Sequence, residues 1–478
     1  TVFPTHFVNR RVRFPQFPSL MLRNLKSDLF QSSFSRPYAN SSPSPHTSPE
    51  ESTSSSYLNK FTKYTAKRLP TAILANIIVT GLVGLISVDL LYAWYRNGCN
   101  ERLLNETVEK GTRPEIDVSD DELVSRPLVV DHLKKIFQPY RNQSFYHMVC
   151  GEHGSGKTTL TRIASSEVGH GVIYVDVPAN FNELGEAFGK AINFAFEEQI
   201  SFTRQLMRKI SGETNNKPKT SEWERALKAF KRASAVYKAK NGRPPVIVYD
   251  NISRLVHKNS EILDILQDDA KDNADDRKYI AVFVSSEGSV PRRMESRSAW
   301  SRADKPVMEI GDLSEKESID YLINKRKINS VEAKKLYELV GGRIVDLKSV
   351  AGKFLAGQSF EVIKQQVFGT VYDNLETAGM NPGQQNHEAA KIIIRTLLNS
   401  NDMLHISMLR EMTKVEPSKL LEGNVFAYHP ENKAVTFQSR SIECYIQENA
   451  NKFTENIKFN NMTCFQGREY ADPRPFNA

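Results

Sequence analysis

Gly151-Glu152-His153-Gly154-Ser155-Gly156-Lys157-Thr158-Thr159 follows the apolar run Phe145–Cys150 and opens the helix-forming stretch TTLTRIASSEV. A strand, a GxxxxGK[ST] loop and a helix in that order specify a phosphate-binding loop. The glycines let successive backbone N–H groups converge on phosphate oxygens at a helix amino terminus. Lys157 then supplies a point charge for the β- and γ-phosphates, and Thr158 a hydroxyl for magnesium. Gly151 to Thr159 is therefore assigned to a nucleoside triphosphate, ATP with Mg2+. The fold class that goes with it is α/β, a P-loop NTPase αβα core on a parallel sheet.

Outward from the loop, the next informative run is Val246–Asp250, VIVYD, an apolar strand of buried-parallel type ending in a carboxylate. Asp250 has the place of the residue that orders the magnesium shell, so Thr158 and Asp250 form the expected metal pair. Asn251 follows, where many hydrolysing proteins of this type carry Glu to activate water. An amide cannot take a proton, although it can orient a water. A third apolar run, Tyr279–Val284, leads to Ser285-Ser286-Glu287. A polar side chain at that tip belongs between the two other strands as a phosphate sensor; Ser285 and Ser286 both qualify, and Ser286 is chosen. Arg302, in RSAWSR before the expected strand Pro306–Ile310, is placed to reach a neighbouring copy's nucleotide. Arg343, after Gly341-Gly342 at the start of a lid helix, is a second sensor for the γ-phosphate.

Residues 387–449 read as three helices, HEAAKIIIRTLLNS, HISMLREMTK and EPSKLLEG, and then strands Asn424–Tyr428 and Ala434–Gln438 joined by His429–Lys433. That is winged-helix order. EPSKLLEG offers one Lys against two Glu, a poor set for phosphate or base-edge contacts, so a protein-packing role outranks nucleic acid. Residues 200–240 read as charged helix around a polar loop at 211–221, and the residues after 450 as a tail.

Of the formal charge of +8, residues 1–68 carry +7, with ten Lys or Arg against Asp28, Glu50 and Glu51. The remainder is nearly neutral, and bulk charge does not argue for nucleic acid. Arg- and Ser-rich, acid-poor composition before Asp28 is that of a mitochondrial transit peptide, with Arg36-Pro37-Tyr38-Ala39 as a processing site. A Ser/Pro-rich spacer follows, and then LPTAILANIIVTGLVGLISVDLLYAWY, Leu69–Tyr95. Leu69–Val88 is uncharged and long enough for a bilayer core of about 30 Å, with basic residues at both flanks and an aromatic belt at Tyr92, Trp94 and Tyr95. Asn76 and Asp89 are costly in lipid and are expected to face protein. Four scattered cysteines show no metal or disulfide spacing and read as reduced thiols.

In order, LVSRP, GEHGSGKTT, VIVYDN, FVSSEG, RSAWSR and GGRIVDL make residues 122–368 resemble a P-loop ATPase of the AAA+/STAND type. The chain's pattern resembles that of fungal membrane-anchored AAA proteins that end in a winged-helix domain. The resemblance implies an αβα core, a helical lid and an ATP-driven switch; Asn251 departs from the usual Asp-Glu pair. The expected organisation is a targeting segment (1–38), a linker (39–68), a transmembrane helix (69–95), the ATPase core (96–312), a lid (313–380), a winged helix (381–450) and a tail (451–478). The expected role is a single-pass ATPase of the mitochondrial inner membrane that remodels or assembles a protein partner, or its own copies. A hydrolysis-poor ATP-dependent scaffold and a mitochondrial DNA-associated factor are the alternatives.

Overall fold

VIYVD, VIVYD and IAVFV lack polar alternation, the pattern of strands covered on both faces, and each is followed by chain with helical periodicity. The computed structural model describes residues 71–196, 201–203, 206–207, 221–256, 258–399, 403–421 and 423–453. The expected targeting segment and linker, the centre of the 200–240 region and most of the tail lie outside them.

The chain divides into two units at Ile77/Ile78. Of the first, only Thr71–Ile77 is described, as the start of helix α1 (Thr71–Lys110). The second begins with the rest of α1 and continues through α2 (Pro127–Ile136), β1 (His147–Cys150), α3 (Lys157–Val168), β2 (Val172–Asp176), α4 (Leu184–Ala191) and α5 (Glu222–Asn241). The core is completed by β3 (Val246–Asp250), α6 (Ser253–Val256), α7 (Ser260–Asp275), β4 (Ile280–Val284), α8 (Ser289–Glu295) and β5 (Met308–Glu309).

These strands make one parallel sheet in the order β2-β3-β4-β1-β5. Alternate residues serve opposite faces. Tyr146, Met148, Ile247, Tyr249 and Phe283 pack with Trp223, Phe230 and Leu263 on one side. Val149, Val246, Val248 and Val282 pack with Val130, Leu133, Leu160 and Ala164 on the other. Complete burial of such side chains is worth about 1.5–3 kcal/mol each. Serine capping boxes start two helices: Ser221 with Glu224 opens α5, and Ser314 with Glu317 opens the helix Glu315–Asp320 that follows the sheet.

Beyond the sheet come α9 (Glu315–Asp320), a π-turn (Tyr321–Lys325), α10 (Ser330–Val340), α11 (Ile344–Leu355) and α12 (Phe360–Thr377), which share a core of their own. The last group is α13 (His387–Asn399), β6 (Leu404–His405), α14 (Ile406–Thr413), α15 (Pro417–Leu421), β7 (Phe426–His429), β8 (Ala434–Phe437), α16 (Arg440–Glu448) and α17 (Ala450–Phe453). Its antiparallel sheet runs β6-β8-β7. Two elements differ from expectation. His405 leaves the second expected helix to join β6 and cap α14 through Ser407 N–H. Residues 440–448, which the sequence reading left without an element, form α16, with Ile442 and Ile446 in the core and Ser441 and Glu443 also buried. α15 carries one basic residue, Lys419.

α1 is longer than its apolar run. Its first half has mean hydropathy 2.0 and is almost entirely uncovered, and it is the one described helix long and apolar enough to cross a membrane. After Tyr95 the pattern turns amphipathic. Leu104 and Val108 enter the core, Glu101 pairs with Arg232, and Glu109 with Lys240. Asp89 accepts from Ser201 Oγ at 2.6 Å and from the N–H groups of Phe202 and Thr203 at 3.0 and 2.9 Å. Cys99 and Cys150 are free thiols, and Cys464 lies outside the described residues.

Candidate nucleotide site

β1 ends at Cys150, and the loop turns at once. Gly151 has φ 149°, and a Cβ there would lie 2.2 Å from the Ile310 carbonyl oxygen, so no side chain fits. Gly156, at φ 88°, is the N-cap of α3 and sets its first N–H groups toward the loop interior. Lys157 is 5% exposed, and its Nζ donates to the Glu152 carbonyl and, at 3.1 Å, to Ser155 Oγ. Burial pulls the Lys157 ammonium down to about 8, against 10.5 in water.

That shift gives a pH dependence of determinate sign. Below pH 8 the folded protein carries Lys157 charged; above it, binding an anionic triphosphate requires proton uptake. MgATP affinity is expected to fall about tenfold between pH 7 and pH 9. The stability of the free protein moves the other way. Its unfolded state holds the extra proton between about 8 and 10.5, so stability rises with pH across that window. Fluorescent-nucleotide titration and thermal melting at pH 7, 8 and 9 check both; affinity constant with pH would refute the assignment.

Asp250, 1% exposed, accepts from the Thr158 hydroxyl, from Tyr174 Oη at 2.5 Å and from Asn251 N–H at 2.8 Å. Burial nevertheless raises its carboxyl above the ordinary range, and pushes the Tyr174 phenol up as well. A buried carboxylate hydrogen-bonded to a threonine hydroxyl at the end of a phosphate loop is an oxygen donor set of the kind a hard divalent cation takes. ATP with Mg2+ fits these residues, through Lys157 and the loop N–H groups for phosphate and through Thr158 and Asp250 for the metal.

Asn251 stands at φ 58° and donates Nδ2 to Asp176 Oδ1 at 2.8 Å. Asp176 also pairs with Arg162 at 2.9 Å and Arg254 at 3.3 Å. Arg162 Nε reaches Tyr174 Oη at 3.1 Å. This cluster was not anticipated. Its signal was present, because Val172–Asp176 ends in a carboxylate in the same way as Val246–Asp250.

β4 lies between β3 and β1, so its tip is between the strands that carry Asp250 and the loop. Ser285 there is buried and spends its hydroxyl on Glu287, while Ser286 lines a cavity. The cavity, of about 520 Å³, is bordered by His153 and Gly154 of the loop, Ser286, Arg343, Asp346, and Gln438 and Ser439 beyond β8. Arg343 is the N-cap of α11 and is held by Asp312 at 3.2 and 3.3 Å, with its Cδ against Gly154. Arg302 is elsewhere: its carbonyl accepts from Tyr146 N–H at the entry to β1, and its guanidinium pairs with Asp275. Within one chain it is not brought to the loop.

The β7–β8 hairpin abuts the loop as well. His429 bonds Glu309, whose strand partner is Cys150, and Tyr428 Oη donates to Glu295 at 3.0 Å. Burial raises the Glu152 carboxyl above the ordinary range, and Gln438 beyond β8 lines the cavity next to the loop.

No curated protein matches the chain. The Walker-type ATPase of Pyrococcus abyssi aligns at TM-score 0.44 and 14% identity, over 70% of this chain and 98% of that one. The ORC2 protein of Aeropyrum pernix, in ADPNP–ADP complexes, aligns at TM-score 0.37 and 14% identity, over 70% and 98%. Cdc6p of Pyrobaculum aerophilum aligns at TM-score 0.37 and 12% identity, over 70% and 100%. Residues 124–350, which hold the phosphate loop and Asp250, match the family described as an ATPase domain predominantly from Archaea.

Proposed function

We propose that the chain is a membrane-anchored ATPase in which nucleotide state governs how its C-terminal module docks on the phosphate loop, and through that the assembly of a protein partner or of its own copies. The observation that carries this reading is that Gln438 and Ser439, just past β8, wall the same cavity as His153 and Gly154 of the phosphate loop. A triphosphate seated in the loop would change the wall that the hairpin shares with it, and with that the seating of the hairpin. α13 to β8 follow winged-helix order, and the module acts here as a protein-packing element. The apolar half of α1 supports anchoring, and the composition of residues 1–38 supports the mitochondrial inner membrane as its location.

The position of Asn251 favours a second reading, a binding switch with little turnover. Full-length protein in liposomes separates the two. Magnesium-dependent phosphate release is expected under the first reading. Binding without release would establish the second, and release of the protein from vesicles by alkaline carbonate would reject the anchor.

A further inference from the structure

Register pairing sets Asp176 beside Asp250, at the same level of two adjacent parallel strands. Such strands lie about 4.8 Å apart, so the two carboxylates share one edge of the sheet. They hold different partners. Asp250 takes Thr158, Tyr174 and a backbone N–H. Asp176 takes Arg162 from the phosphate-loop helix, Arg254 from α6, and the Asn251 amide.

A carboxylate can only accept, so whichever way the Asn251 carboxamide is drawn, the group facing Asp176 must be its NH2. Its oxygen is thereby committed to the opposite side. The left-handed backbone of Asn251 sustains this arrangement. Asparagine tolerates that region better than most residues, and the side chain is anchored within it.

We propose that Asp176 is a positioning residue for hydrolysis: by holding the Asn251 amide it presents Asn251 Oδ1 as the acceptor that orients the attacking water. This rests on the hydrolytic reading above and explains how a site with Asn at this position retains turnover. Attack forms a bond from the water oxygen to the γ-phosphorus and breaks the bond from that phosphorus to the bridging oxygen of ADP. The water proton leaves on the phosphate product, so the amide need only orient, which an amide oxygen can do.

The alternative is that Asp176 only ties β2 to α3 and α6 through its two arginines. A double-variant cycle in full-length protein distinguishes them, with Lys157→Ala as the blank. Asp176→Ala and Asn251→Ala are each expected to lower kcat at least about tenfold with KM for ATP within about twofold. The protein carrying both changes should lose no more than either single variant, because one unit has been removed. Asp176→Asn, which retains an acceptor for the Asn251 amide and keeps the fold's packing, should stay within about threefold of wild type. Losses that multiply in the double variant, or either alanine variant within twofold of wild type, would overturn the proposal and leave the ATPase reading intact. Wild-type release no greater than the Lys157→Ala blank would overturn both.

Discussion

Lys157→Ala is expected to weaken MgATP binding by about 100-fold while leaving the free protein about as stable as before. The two halves have separate causes. A charge-assisted hydrogen bond to phosphate is worth roughly 1.5–3 kcal/mol, and the upper end is apt for a side chain this buried. In the free protein the same ammonium is a burden. A depression from 10.5 to about 8 corresponds to about 3 kcal/mol of penalty for keeping the charge inside. Truncation relieves that penalty but removes buried methylene groups worth about 0.8 kcal/mol each, so the terms nearly cancel. Thermal melting reads both. Wild type at ATP 100 times its dissociation constant should gain about 2.7 kcal/mol, and the variant almost nothing. An unchanged nucleotide-induced shift would mean that phosphate is held elsewhere.

Asp250→Asn should separate binding from turnover. The amide keeps one oxygen to accept from Asn251 N–H and can turn its NH2 to donate to the Tyr174 oxygen, so the local packing survives with one bond reversed. What disappears is the charge that fixes magnesium, a change expected to lower metal affinity or activity by about 10–100-fold. Free-protein stability should hold or rise, since burial already drives Asp250 toward its neutral form. Phosphate release titrated against Mg2+ checks this. Wild-type rates at low Mg2+ would remove Asp250 from the metal's shell.

The legible part of the site was the part written contiguously. Eight consecutive residues announced the loop, and a strand ending in Asp announced its partner. Asp176 carries the same kind of strand-end signal, yet its value depends on β2 lying next to β3, and strand order is a tertiary fact. Arg302 shows the converse. Its sequence position beside β5 suggested a role at phosphate, but the chain reaches β5 from the opposite end of the sheet, where Asp275 holds it. α16 escaped notice because buried Ser441 and Glu443 interrupt its apolar stripe, and such groups are tolerated inside only with partners, here Arg440 and Gln447 for Glu443. The turn from lipid-type to amphipathic pattern within α1 was readable, but the continuity of the helix through it was not.

Residues 89–104, between the end of the uncharged run and the first fully covered core side chain of α1, are helix throughout and span about 24 Å. A coil of that length would let the nucleotide domain wander; a rod gives no slack. Under the proposed anchoring, copies inserted in a bilayer with one polarity would stand at one height and would meet by sliding in a plane rather than by tumbling in a volume. Confinement of this kind raises effective concentration without adding a contact. Lateral contacts too small to hold the same domains together in solution would then suffice, and the degree of self-association would become a property of how crowded the membrane is.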